Sequence, residues 1–240
     1  MSKCIAVMGA NSAIAQELIR QARNKEYSVV AMGRNLQAME ALYGQDQGIR
    51  IVGLDPLNSE EVDTAFQTLE DEGTTIGGYA HCVGSILVAP LARTTDAQIH
   101  SVLGVNLVSA MFGLRAWLKL AKKRGGGSAV LISTCATGMG VANHEAIAAA
   151  KGGVEGLARA AAATHAPDGI RVNVVAPGLT DSPIAAGFLK SEVMRSASER
   201  QYPLHGVNAP TDVAQAIFWL LGEESSRITG TVLNSSQAPC

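Results

Sequence analysis

Apolar runs of strand length alternate with longer stretches of helical period along the whole chain. Lys3–Met8 reads as a buried strand, and Ser12–Asn24 follows it with Ile14, Leu18, Ile19 and Ala22 on one helical face. Strands are expected at Tyr27–Met32, Ile49–Leu54 and Gly78–Val83, with a helix over Leu36–Tyr43. Another helix should start at a cap on Asn58 or Ser59 and run to about Glu72, its positive end matched by Glu60, Glu61 and Asp63. The second half repeats the scheme. A long helical region spans Asp96–Lys123 and closes with Lys119, Lys122, Lys123 and Arg124, charges suited to a helix C-terminus. After the Gly125-Gly126-Gly127 turn come strands at Ala129–Ser133, Arg171–Ala176 and Thr231–Leu233, separated by helices over His144–His165 and Asp212–Leu221.

Alternation of this kind, with nearly continuous apolar strands, predicts a parallel sheet covered by helices on both faces. Right-handed crossovers make it doubly wound and put ligands at the carboxyl ends of the strands. The expectation is an α/β, single-domain Rossmann fold with a doubly wound parallel sheet of about seven strands, occupying all 240 residues. Composition narrows the partners. The net charge is −2 and 17% of residues are charged, with no basic stripe for nucleic acid and no polybasic segment for an anionic membrane. The N-terminal apolar run is too short for a signal peptide, no later segment reads as membrane-spanning, and a cytoplasmic location is expected. Cys4, Cys82, Cys135 and Cys240 are far apart without metal-ligand spacing, so they read as reduced thiols and no metal site is expected.

Candidate chemistry begins where the first strand meets its helix, at Gly9-Ala10-Asn11-Ser12-Ala13-Ile14-Ala15. Small residues there let backbone approach a pyrophosphate, and the helix N-terminus offers free N–H groups with a partial positive charge. Any tight strand–helix turn also needs small residues, so the loop alone does not decide the matter.

Ordered matches over nearly the whole chain resemble the short-chain dehydrogenase/reductase family. The family's Gly-x-x-x-Gly-x-Gly loop aligns with Gly9, Ala13 and Ala15, and the alanine at position 13 requires a negative φ. Asp55-Pro56 stands where the family places an adenine-contacting aspartate, and His81-Cys82-Val83-Gly84 where it has Asn-Asn-Ala-Gly. Asn106 matches the helix asparagine, and Arg171–Gly178 the segment before the nicotinamide loop. Ile228–Leu233 matches the last strand, with Ser236-Gln237-Ala238 in place of the usual Asp-Gly-Gly. The resemblance implies a cofactor site made by Gly9, Asn11, Ser12, Ala13, Ile14, Arg34, Asp55, Pro56, Cys82, Val83, Gly84, Lys151, Pro177, Gly178, Thr180 and Ser182. The NAD-binding version carries an acidic residue after the second strand; here Met32-Gly33-Arg34-Asn35 has none. Arg34 can fork onto a 2′-phosphate, which favours NADP(H), or it is a solvated surface arginine.

The family's reductases use a serine, a tyrosine thirteen residues later, a lysine four beyond that, and the asparagine. Here those positions hold Thr134, Ile147, Lys151 and Asn106. Isoleucine has no proton to give, and losing a general acid costs ~10²–10⁴ in rate. His144 precedes Lys151 by seven residues, on nearly the same helix face, where enoyl-thioester reductases of the superfamily carry their tyrosine. It is a substitute acid or, with Glu145, a polar helix start. Cys135 reads as packing rather than as a nucleophile.

Three readings follow. The first is an NADPH-dependent oxidoreductase that transfers hydride to a carbonyl or conjugated C=C of a small apolar substrate, with Thr134, His144, Lys151 and Asn106 catalytic. The second is a catalytically inactive NADP(H)-binding regulatory or scaffold protein, and the third a structural subunit without nucleotide. Pro183–Pro203 is expected to form an apolar lid through Ile184, Phe188, Leu189, Val193 and Met194, with Lys190, Arg195 and Arg200 as possible partners for an acidic group. The apolar helices Leu103–Lys122 and His144–His165 suggest a homodimer or homotetramer, as in relatives.

Overall fold

The computed structural model describes residues 3–200, 202, 204 and 206–235. Seven parallel strands are ordered β3-β2-β1-β4-β5-β6-β7. They are β1 (Cys4–Met8), β2 (Ser28–Gly33), β3 (Ile49–Gly53), β4 (Gly78–His81), β5 (Gly127–Ile132), β6 (Ile170–Pro177) and β7 (Val232–Ser235). The order reverses between β1 and β4, the switch point where open α/β sheets form a crevice. The doubly wound single-domain expectation is what the chain adopts.

Strand periodicity divides each strand between two cores. Cys4, Ala6 and Met8 of β1 face α3 (Ser59–Asp71), α5 (Ser109–Lys123) and α6 (Glu145–His165), while Ile5 and Val7 face α1 (Ala13–Asn24), α2 (Leu36–Tyr43) and α8 (Pro210–Leu221). The remaining helices are α4 (Asp96–Leu103) and α7 (Glu192–Glu199). Caps fix several starts: Ser12 accepts from Ala15 N, Asn35 from Ala38 N, and Asn58 from Glu60 N and Glu61 N.

Three expectations need correction. β4 ends at His81, so Cys82, Val83 and Gly84 have already left the strand and line its carboxyl end. The run 96–123 is broken by a π turn at Gly104–Val108 between α4 and α5. That run of 28 residues is also long and apolar enough, by length and composition, to cross a membrane, contrary to the expectation that no segment reaches such a length. In this fold Ala110, Leu114, Trp117 and Ala121 of its α5 part cover the sheet, and Arg115, Lys119 and Lys123 pair with Asp63 and Glu70 of α3. The segment 183–203, expected to act as a lid, contains α7, which the sequence reading did not resolve. Pro203, Ser236-Gln237-Ala238 and Cys240 lie outside the described residues. Cys4, Cys82 and Cys135 are buried free thiols.

Candidate active site

The loop after β1 is held from three sides. Gly9 N and Ala10 N donate to Met32 O, the Tyr43 hydroxyl donates to Ala10 O at 2.7 Å, and Gln16 Nε2 donates to Asn11 O at 2.9 Å. Gly9 has φ of +83°, and a Cβ there would stand 2.8 Å from the Cys82 carbonyl carbon. Glycine is therefore required by the close approach of the Cys82–Val83 backbone just after β4 as well as by the backbone angle. Ala13 is the first residue of α1 and is free of positive φ, so its methyl introduces no backbone strain. Ser12 occupies the Ala15 amide, which leaves the Ala13 and Ile14 amides at the helix start without intrahelical acceptors.

These residues fit a dinucleotide phosphate. Asn11 Nδ2 is buried without a hydrogen-bond partner among the described residues, and such an atom costs free energy unless a ligand or water accepts from it. A Cβ on Gly33 would lie 3.3 Å from Asn11 Oδ1, so the second strand end is kept open beside it. Arg34 is exposed at the end of β2 and has no ion-pair partner among the described residues. Asp55 Oδ1 accepts from Leu57 N, which closes a turn after β3, and Pro56 beside it is buried. On the far side, Gly178 N donates to Ser235 O, the buried Thr180 hydroxyl turns onto Gly178 O, and Ser182 Oγ donates to Thr180 O. A bridge between Thr180 and Asn208 holds the loop after Pro177 in place.

The polar centre lies at the ends of β4 and β5. Lys151 is 6% exposed and its Nζ donates to Ile132 O at 2.8 Å, two residues before Thr134. Burial pulls the ammonium down to about 8, against a smaller upward pull from the Cys82 thiol. Cys82 itself is pushed up to about 12 by burial, so it stays a thiol. Asn106 is fully buried in the π turn; its Oδ1 accepts from Ser85 N at 3.1 Å and its Nδ2 donates to Ser85 Oγ at 2.9 Å. A Cβ on Gly84 would meet Asn106 Oδ1 at 3.3 Å and Lys151 Nζ at 3.7 Å, so Gly84, Asn106 and Lys151 converge.

Thr134 begins a short turn over Cys135–Thr137 and its hydroxyl accepts from Ala136 N. Burial raises the Cys135 thiol, which suits packing and not nucleophilic attack. Ile147 is 5% exposed and packs with Val102 and Ala150. His144 differs from the helix-face expectation: it is the N-cap of α6, and its Nδ1 donates to Ala142 O at 2.8 Å. The ring therefore keeps only Nε2 for a second partner.

Sequence reasoning missed three participants. Glu155, one turn beyond Lys151, accepts from Ser133 Oγ and Thr137 Oγ1, the residues flanking the Thr134 turn. A carboxylate on the Lys151 face of an alanine-rich helix was its available signal. His81 lies buried between Tyr79 and Ser109. Tyr202, after α7, is buried and accepts from Leu179 N at 2.8 Å.

A family model described as Enoyl-(Acyl carrier protein) reductase matches residues 9–236, and the chain belongs to this family of short-chain dehydrogenases/reductases. Among individual relatives, it is similar to carbonyl reductase family member 4 of Danio rerio, 32% identical over 235 residues, 97% of this chain and 96% of that protein. Its structure is similar to a short-chain type dehydrogenase/reductase from Mycobacterium ulcerans, at 25% identity and a TM-score of 0.92, covering 98% of this chain and 88% of that one. It is also similar to ElxO solved with NADP bound, at 22% identity and a TM-score of 0.91, covering 98% and 97% of the two chains.

Proposed function

We propose that the chain is an NADP(H)-dependent oxidoreductase that reduces a carbonyl or a conjugated C=C in a small apolar substrate. The observation that carries this reading is the convergence of Gly84, Asn106 and Lys151 at the switch point, next to a loop with an unpartnered buried amide at Asn11. The two reactions correspond to the names of the relatives: a carbonyl reductase and an enoyl reductase family. The ElxO neighbour with NADP bound adds that this fold accommodates the nucleotide.

The nucleotide would supply hydride when bound. Asn11 Nδ2 and the Ala13 and Ile14 amides would donate to its phosphates, and the exposed Arg34 would pair with a 2′-phosphate. Asp55, Pro56, Cys82, Val83 and Gly84 would flank the adenosine side and the central part of the crevice, and Pro177, Gly178, Thr180 and Ser182 would close the nicotinamide end. Lys151, its ammonium pulled down to about 8 by burial and anchored on Ile132 O, would hold the nicotinamide ribose with its remaining N–H donors. Thr134 would hydrogen-bond the substrate oxygen.

Ile147 stands where the family's reductases carry tyrosine, so the proton must come from elsewhere. His144 Nε2, free while Nδ1 is held by Ala142 O, would deliver it directly or through a water. Reduction of a conjugated C=C needs less of this help, because solvent can protonate the α-carbon. The expected lid, residues 183–203, carries Ile184, Val193 and Met194 as exposed apolar residues, Leu204 follows it, and Ile86, Val88 and Val141 are exposed in the loops after β4 and β5. This concentration at the carboxyl ends supports an apolar substrate. Pairing into a homodimer or homotetramer through α5 and α6 belongs to the same reading; Met111 is 47% exposed and Gly152 and Gly156 leave α6 open.

The test follows NADPH consumption with panels of ketones and of enones. His144→Ala is expected to lower ketone turnover by ~10²-fold and enone turnover by less, with NADPH affinity unchanged. Unchanged turnover in His144→Ala beside lost turnover in Lys151→Ala would remove His144 from the mechanism. No consumption in the wild type, with NADPH bound, would favour the nucleotide-sensing reading.

A further inference from the structure

Asn106 sits inside a π turn, and such a turn releases carbonyls from the ordinary helical ladder. Ser109 N reaches back five residues to Gly104 O, so Val105 O loses the amide it would meet in an α-helix. Side chains cover what the backbone gives up. The Ser109 hydroxyl donates to Val105 O at 2.6 Å, and Asn106 Nδ2 donates to Val102 O at 3.0 Å.

The single Ser109 hydroxyl proton is then committed, and its oxygen, 3.0 Å from His81 Nε2, must accept from that nitrogen. His81 Nδ1 is left as the acceptor for the Tyr79 hydroxyl at 2.8 Å. One neutral tautomer satisfies the chain of groups, all of which are 0–2% exposed. Burial, with the nearby Lys151 charge, holds the imidazole down to about 3, so it stays neutral. Space is reserved as well: a Cβ on Gly113 of α5 would stand 1.9 Å from the Tyr79 hydroxyl oxygen.

We propose that Tyr79, His81 and Ser109 form a positioning relay that holds the π turn and thereby aims Asn106 at Ser85, beside Gly84 and Lys151. None of the three touches the reacting atoms. The relay converts the end of β4 into a fixed reference for a residue on a different element. Its consequence for turnover rests on the function proposed above; its structural content does not.

The test is hydrogen exchange of the full, nucleotide-free chain, read over residues 104–109, in His81→Asn, His81→Gln and Ser109→Ala. Asparagine keeps an acceptor for Tyr79 but falls short of Ser109, whereas glutamine carries an amide donor to the Nε2 position. Exchange over 104–109 is expected to rise about tenfold or more in His81→Asn and Ser109→Ala, with β1 and β6 unchanged and His81→Gln close to wild type. Unchanged exchange in His81→Asn, or equal loosening in His81→Gln and throughout the sheet, overturns the proposal. Should His81→Asn fail to fold, the histidine ¹⁵N spectrum of the wild type decides: an Nε2–H tautomer supports the relay, and an Nδ1–H tautomer overturns it. NADPH turnover in the same variants is expected to fall about tenfold in His81→Asn at unchanged NADPH affinity. If no variant and no wild type turns over NADPH, the oxidoreductase reading fails while the exchange result still decides the relay.

Discussion

The two halves of the crevice use their polar groups in opposite ways. At the end of β1 and β2 the loop backbone is tied down, yet its binding groups are left over: Asn11 Nδ2 has no partner and Arg34 pairs with no described residue. At the end of β4 and β5 nearly every polar group is consumed internally. Lys151 is bonded to Ile132 O, Asn106 to Ser85 and Val102, Glu155 to Ser133 and Thr137, and His81 to Tyr79 and Ser109. One side leaves donors unused, as the proposed nucleotide site requires; the other ties its polar groups to one another. Preorganisation of the second kind is what lets a fixed dipole act on developing charge without reorganising first.

The largest effect that separates the halves is expected at Gly9→Ala. A positive φ and a contact of 2.8 Å with the Cys82 backbone just after β4 together predict a loss of ~3 kcal/mol or more in denaturant unfolding. Stability near wild type would mean that β4 can move away from the loop. Next is Lys151→Met, expected to reduce NADPH-dependent turnover by ~10²–10³-fold, because a cation fixed beside the reacting centre is lost. Its stability should not fall, since the replaced ammonium is a buried charge without a counter-charge, already pulled down to about 8. A matching loss of stability would show that the lysine is mainly structural.

His81 gives a third, smaller separation. Burial holds it down to about 3, well below the ordinary histidine value of 6.5, so the native state favours the neutral ring. That contribution is complete above pH 6.5 and is lost as pH falls toward 3, where the unfolded chain binds the proton and the native one does not. Between those limits the wild type is expected to lose more of its stability than His81→Gln in pH-dependent unfolding, and parallel curves would contradict the neutral buried imidazole. The smallest effect falls on the open half: Arg34→Ala should weaken NADPH by about tenfold and leave NADH unchanged, as expected for one charge-assisted contact to a 2′-phosphate. Equal weakening of both nucleotides would place Arg34 elsewhere on the ligand.

Much of the open half was legible from the residue pattern. Gly9 at the end of an apolar run, the helix start beside Ser12 and Arg34 after the second strand all sit where periodicity and helix-start chemistry put them. The doubly wound parallel sheet followed from alternation and crossover handedness. The saturated half was harder because its features depend on contacts between elements distant in sequence. A π turn adds one residue to a helical repeat, and the apolar period through 96–123 barely registers it. Glu155 and His81 look like an ordinary surface carboxylate and a chance strand histidine until α6 and α5 are docked on the sheet. His144 reads as a helical residue two turns from Lys151, but the helix begins one residue later and the ring turns back to Ala142.

The central claim, a receptive nucleotide half joined to a fixed reducing half, is tested most directly by titrating the protein with NADPH and NADH and following nucleotide fluorescence. The account predicts saturable NADPH binding at least about tenfold tighter than NADH, with the preference abolished in Arg34→Ala. Absence of binding by either nucleotide, or an NADH affinity equal to that for NADPH in the wild type, would contradict it.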